Sequence, residues 1–189
     1  MKSFTKALVL APIFLLSLTA CGKISEDQAK ERVKGYNAAE VAEKYASYDI
    51  KGEAKVTKRS GVFAEGGLMA SIADTLIEAF NTDEKGNDVA GGIFTTGSLD
   101  IGSADQVEMT YYAYKKTGLK VVANIDADET TEGMSEKVKG KETIYVLDDG
   151  RIEKGDGNMS MTVSGSYAGI NLEGELAFTF KMSYKWNAK

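Results

Sequence analysis

Cys21 is the only thiol in the 189-residue chain, and so the only soft nucleophile available for covalent chemistry. With no second cysteine it can close no internal disulfide. The chain also holds no histidine. That absence removes a Ser-His-Asp triad, a Cys-His pair and every imidazole metal ligand. Carboxylate, lysine, tyrosine and backbone chemistry remain. After Cys21 no serine has a lysine three residues later, and no G-x-S-x-G elbow or G-x-G-x-x-G phosphate cradle occurs. Aspartates and glutamates are abundant, but no spacing singles out a pair for glycoside chemistry. The reading is therefore non-catalytic, with no cofactor.

Three acidic stretches invite a calcium reading, and each fails on spacing. "NTDEKGND" puts Asn81, Asp83 and Gly86 near positions of a calcium loop. Yet Lys85 stands where an oxygen ligand is needed, and the twelfth position is Gly92. "DADETTEG" carries Asp126, Asp128 and Glu132 without the glycine turn, and "DDGRIEKGDGN" spreads Asp148, Asp149, Asp156 and Asn158 over two hairpin ends. All three read as solvated turns, with no metal.

What precedes Cys21 gives it a different chemistry. Lys2 and Lys6 form a positive start, and Ala7 to Ala20 is uncharged. Fourteen residues at a helical rise of about 1.5 Å cover roughly 21 Å, short of the ~30 Å hydrocarbon core of a bilayer. Residues 1–20 thus read as a secretory signal rather than a span. Leu18-Thr19-Ala20-Cys21 resembles the lipobox of bacterial lipoproteins. The resemblance implies that a diacylglycerol is attached to the Cys21 sulfur and that cleavage makes Cys21 the first mature residue. Two or more buried acyl chains hold a protein firmly at a membrane, where one holds it only reversibly. The expected location is a bacterial cell membrane or outer membrane, with the domain outside the cytoplasm. Gly22, in place of the aspartate usual for inner-membrane retention in that family, leans toward export.

Removing residues 1–20 takes two lysines and no acidic residue, leaving 21 basic against 28 acidic residues and a net charge of −7. That balance argues against nucleic acid as a partner and against a polybasic grip on lipid. The sole proline, Pro12, leaves with the signal. Residues 21–24 read as a lipidated start and short tether, and 25–189 as a single α+β domain.

Within that domain the spacing predicts a helix over residues 24–47, opened by a Ser25–Gln28 capping box, with Gly35 as a weak point. Tyr48, Ile50, Ala54 and Val56 then alternate with charged residues, the mark of a strand with one dry face. A second helix is predicted over 65–80, its apolar stripe running through Leu68, Ile72, Leu76 and Phe80. From Gly92 onward the pattern is β. Ile93, Thr95, Leu99 and Ile101 alternate loosely, and Val107, Met109, Tyr111 and Ala113 do so clearly. Leu119, Val121, Ala123 and Ile125 answer them. "ETIYVL" and "RIEK" flank a tight turn at Asp148-Asp149-Gly150. The last strand is the clearest, with Leu172, Leu176, Phe178, Phe180, Met182, Tyr184 and Trp186 on one side. Neither Arg32, Arg59 nor Arg151 falls at an inward position of a predicted strand.

A strand of about fifteen residues is long, and long single-faced antiparallel strands curl. The expected fold is a strongly curved antiparallel sheet, half-barrel-like, with an N-terminal helix and the Leu68–Phe80 helix packed against or inside the sheet. The element order, with "AEKYASYDIKGEAKV" leading into the first strand, is similar to the half-barrel superfamily of lipoprotein carriers and mycobacterial-type surface lipoproteins. The resemblance implies binding of an apolar or lipid ligand. The residues expected to line such a cavity are Leu68, Ile72, Leu76, Phe80, Met159, Met161, Leu176, Phe178, Phe180, Met182 and Tyr184. The alternative is a surface protein with a filled core that binds envelope or host protein partners.

Overall fold

The computed structural model describes residues 22–95, 106–131, 133–167 and 169–189. The signal, Cys21 and the alternation through Leu99 and Ile101 lie outside the described residues. The chain forms one eight-stranded antiparallel sheet with helices added to it. In chain order the elements are β1 (Lys23–Ile24), α1 (Glu26–Lys34), α2 (Ala38–Lys44), β2 (Tyr45–Gly61), α3 (Ala70–Phe80), β3 (Asp83–Gly86), a 3-10 turn (Val89–Gly92), β4 (Val107–Tyr114), β5 (Gly118–Thr131), β6 (Met134–Val146), β7 (Ile152–Tyr167) and β8 (Ile170–Ala188). The spatial order is β1-β4-β5-β6-β7-β8-β2-β3. The sheet does not close, and both edge strands are short, as edges that must not recruit other strands usually are.

The N-terminal helix is two helices, not one. The Ser25 hydroxyl accepts from the Gln28 N–H and the Gln28 side chain accepts from the Ser25 N–H, as the capping box requires. Gly35 and Tyr36 then close tight bonds to Arg32 and Val33, which ends α1. Asn37 caps a fresh start by accepting from Ala39 and Glu40. The second predicted helix starts later, at Ala70, because residues 62–69 are spent in turns around Gly66 and Gly67. Two stretches read as loops are strands. Asp83–Gly86 pairs with Tyr48–Lys51. Asp126 and Asp128 lie in β5 directly opposite Lys139 and Lys137 of β6 and pair with them at 3.1 and 2.6 Å. Cross-strand charge pairs of this kind support pairing where acidic residues alone would oppose it.

Registers place nearly all apolar strand residues on one face. Phe180 of β8, for example, lies between Ala54 of β2 and Gly157 of β7, and Val121 of β5 lies between Tyr111 of β4 and Ile144 of β6. The helices bury their apolar residues against that face. Ala29 and Val33 of α1 share a cluster with Phe94, Tyr111, Leu119, Val121 and Val146. Val41 of α2 meets Val89, Ile93 and Trp186. Residues of α3 meet Val163, Leu176, Phe178 and Phe180. The opposite face carries lysines, threonines, serines and acids, with Tyr112, Tyr114, Tyr145 and the buried Val122 among them.

Arg59 departs from expectation. A bulge between Val56 and Lys58 shifts the phase of β2, so Arg59 stands opposite Leu176 on the apolar side. There its guanidinium is satisfied by the carbonyls of Phe63 and Ala70 and by the Asp74 carboxylate. It holds the turn before α3 to the strand.

Candidate functional site

The eleven residues expected to line a cavity do not share one role. Phe80 of α3 stacks on Phe180 at 4.3 Å between ring centroids and lies 5.5 Å from Phe178. Leu76, Met159, Met161, Leu176 and Met182 join the same cluster. This half of the apolar face is packed solid, with α3 filling it. Leu68 and Ile72 point away, at 70% and 46% exposure. Tyr184 sits beside Tyr48, ring to ring at 5.8 Å, and burial raises its phenol pKa.

The open space is on the other half of the same face. A pocket of 340 Å³ lies between the α1 and α3 clusters, floored by β4, β5 and β6. Its walls are Val107 and Met109 of β4, Val121, Ala123 and Ile125 of β5, Ile144 of β6 and Ile152 of β7, with Gly91, Ile93 and Phe94 on one side. None of the eleven expected residues lines it. The alternation of β4 and β5 had marked five of these wall residues as inward-facing, but nothing in a strand pattern says whether an inward side chain meets another or meets space.

The chain beside the 3-10 turn is positioned by an aromatic knot. The Trp186 indole donates to the Ile152 carbonyl at 2.9 Å, and its ring lies 5.0 Å from that of Tyr48. The Arg151 guanidinium lies over Tyr45 at 4.2 Å and over Trp186 at 5.5 Å, and pairs with Asp149 at 2.9 Å. Cation–π contacts of this geometry add attraction to the ion pair. Gly92 passes so close to the Trp186 ring that a Cβ there would come within 2.6 Å of it. The next residues are then pinned by an Ile93–Arg151 bridge and by the Phe94 N–H donating to the Gly150 carbonyl at 2.7 Å. Gly150 itself sits at a φ of 91°, which a glycine adopts freely. Ile93 and Phe94 therefore reach the pocket from a braced loop.

One wall residue is a carboxylic acid. Glu142 of β6 falls in the inward phase with Ile144 and Val146, between Ala123 of β5 and Gly157 of β7. Ala123 is too small to cover its carboxylate on one side, while the Phe180 ring lies over Gly157 on the other. Among the described residues no hydrogen bond or ion pair reaches it. Burial raises its pKa above the usual carboxylate value. The sequence carried a signal for this residue: an acid in step with apolar positions of a strand.

The polar face offers shallow grooves lined by mixed charge, such as the one around Lys120, Lys141, Tyr145, Asp156 and Lys181. Of the acids weighed for calcium, Asp83 pairs with Lys51 at 3.9 Å, Asp148 accepts from the N–H groups of Thr117 and Gly118, and Asp126 and Asp128 pair with lysines. Each is engaged in local structure. No helix among the described residues is long and apolar enough to cross a membrane. No protein-family model, no curated protein and no solved structure matches the chain.

Proposed function

We propose that the chain is a lipid-anchored protein of the bacterial cell envelope, held through Cys21, whose sheet curves as a half-barrel with α3 in its concavity. Its work is non-catalytic: it binds a small apolar molecule. The observation that carries this reading is the 340 Å³ pocket, walled by apolar side chains and reached by a single carboxylate. Binding sites are commonly concave, mostly apolar and provided with few, well-placed polar groups. A space of 340 Å³ suits a small molecule. That is a short-chain amphiphile or a small aromatic, not a whole diacyl lipid. The test is titration of the full chain in phosphatidylcholine nanodiscs with octanol, followed by calorimetry. Saturable heat absent from empty nanodiscs is the expected result, and its absence overturns the ligand reading. For the anchor, labelled palmitate should enter the wild-type chain and not a Cys21→Ser variant; equal labelling, or none in either, defeats it.

A second reading has its own support. The α3 half of the apolar face is filled, while Leu68 and Ile72 stand exposed beside it. A filled interior under exposed apolar side chains suits a surface that docks an envelope or host protein. Leu68→Ser with Ile72→Ser would abolish such docking and leave octanol binding untouched.

A further inference from the structure

The polar group in the pocket bears on which molecules fit there. A half-buried carboxylate without a partner is less well solvated than one at the surface, and an arriving donor that satisfies it recovers that loss. A ligand bearing its own carboxylate would do the reverse, placing two negative charges in an apolar space. A plain alkyl chain would leave Glu142 as it is. We infer that the pocket selects amphiphilic amines: a short alkyl or aryl body ending in a protonated amine that donates to the Glu142 carboxylate. This rests on the pocket being the binding site.

The geometry supports the assignment in three ways. Ala123, beside Glu142 on β5, lines the same pocket, so room for a headgroup lies on that side of the carboxylate, while the Phe180 ring covers Gly157 on the other. The other walls are apolar, so among the described residues no lysine or arginine in the pocket competes with an arriving cation. The titratable group whose charge senses Glu142 is the Tyr184 phenol, which donates no positive charge. Partial burial reduces, without removing, the screening that the contact would meet at the surface.

Octylamine, octanol and octanoate share one chain and differ only in the headgroup, so they separate the selection from the binding. With the full chain in phosphatidylcholine nanodiscs at pH 7, calorimetry should find octylamine bound at least about tenfold tighter than octanol, as a charge-assisted hydrogen bond provides. Octanoate should bind more weakly than octanol. In Glu142→Gln the amine should lose its advantage and fall to within about twofold of octanol, and a thermal melt of the variant reports that the fold is intact. An amine that binds no tighter than octanol, or that keeps its lead in Glu142→Gln, overturns the inference and leaves the apolar site standing. Failure of all three to bind sinks the site and the selection together.

Discussion

Glu142 concentrates the physical tension of the molecule in one side chain. Its pKa is raised in the folded state by burial, so the folded protein holds the proton more tightly than the unfolded chain does. Stability contributed by this group is therefore present at low pH and is lost as the pH rises from the ordinary carboxylate value through the raised one. Denaturant melts of wild type and Glu142→Gln across pH 4 to 8 should diverge in that direction, the wild type losing ground to the variant as pH climbs. The Tyr184 phenol beside it titrates far above that window and leaves the comparison clean. A second residue-scale expectation concerns Tyr114, whose hydroxyl donates to Glu153 at 2.7 Å. Burial first, and that bond second, push its phenol up to about 12. An alkaline absorbance titration should show a late-ionising component that loses one tyrosine in Tyr114→Phe, while Tyr36 and Tyr184, also raised by burial, remain in it. The role of Glu142 was written in the alternation of "ETIYV", yet a charge in phase with apolar neighbours reads equally well as a strand end. Only the smallness of Ala123 across the sheet, about twenty positions away, makes it a wall of a pocket.

At the scale of elements, α3 divides sharply into a working side and a bare side. Phe80→Ala removes a ring stacked on Phe180 and close to Phe178, and partial burial puts its cost at about 2–4 kcal/mol. Ile72→Ser, on the exposed side, should change stability by no more than ~0.5 kcal/mol. Thermal melts of the two variants give a direct comparison. Arg59→Ala should cost about 1–3 kcal/mol, because it strips partners from the Phe63 and Ala70 carbonyls and from Asp74 at once. The dry side of β8 from Leu172 to Trp186 was fully legible, since period-two patterning over fifteen residues admits one register. The bulge that turns Arg59 inward was not, because one extra residue leaves no compositional trace. Nor was the break between α1 and α2 certain from Gly35 alone; the Asn37 cap decides it. Asp126 and Asp128 looked like loop until their lysine partners on β6 were aligned with them.

On the scale of the whole chain, one face of an open sheet carries the helices of the described residues and the other meets solvent. A sequence can state which side of each strand is apolar, and here it did so for most strands. It cannot say how far each helix reaches across that side. Three short helices leave part of it uncovered, and the pocket is the remainder. The far end of the sheet gives this arrangement a direction. Ala113 of β4 donates to the Gly22 carbonyl at 3.0 Å, and Lys23 and Ile24 pair with Tyr112 and Tyr111. One peptide link of about 3.8 Å then separates the β4 margin from the residue proposed to carry the acyl chains. So short a leash permits little swivel: the protein would stand on its β1–β4 margin like a book on its spine, with the hollow walled by Val107 and Met109 in the storey nearest the lipid and Asp83–Gly86 at the top. A guest leaving the bilayer would have only a few ångströms of water to cross.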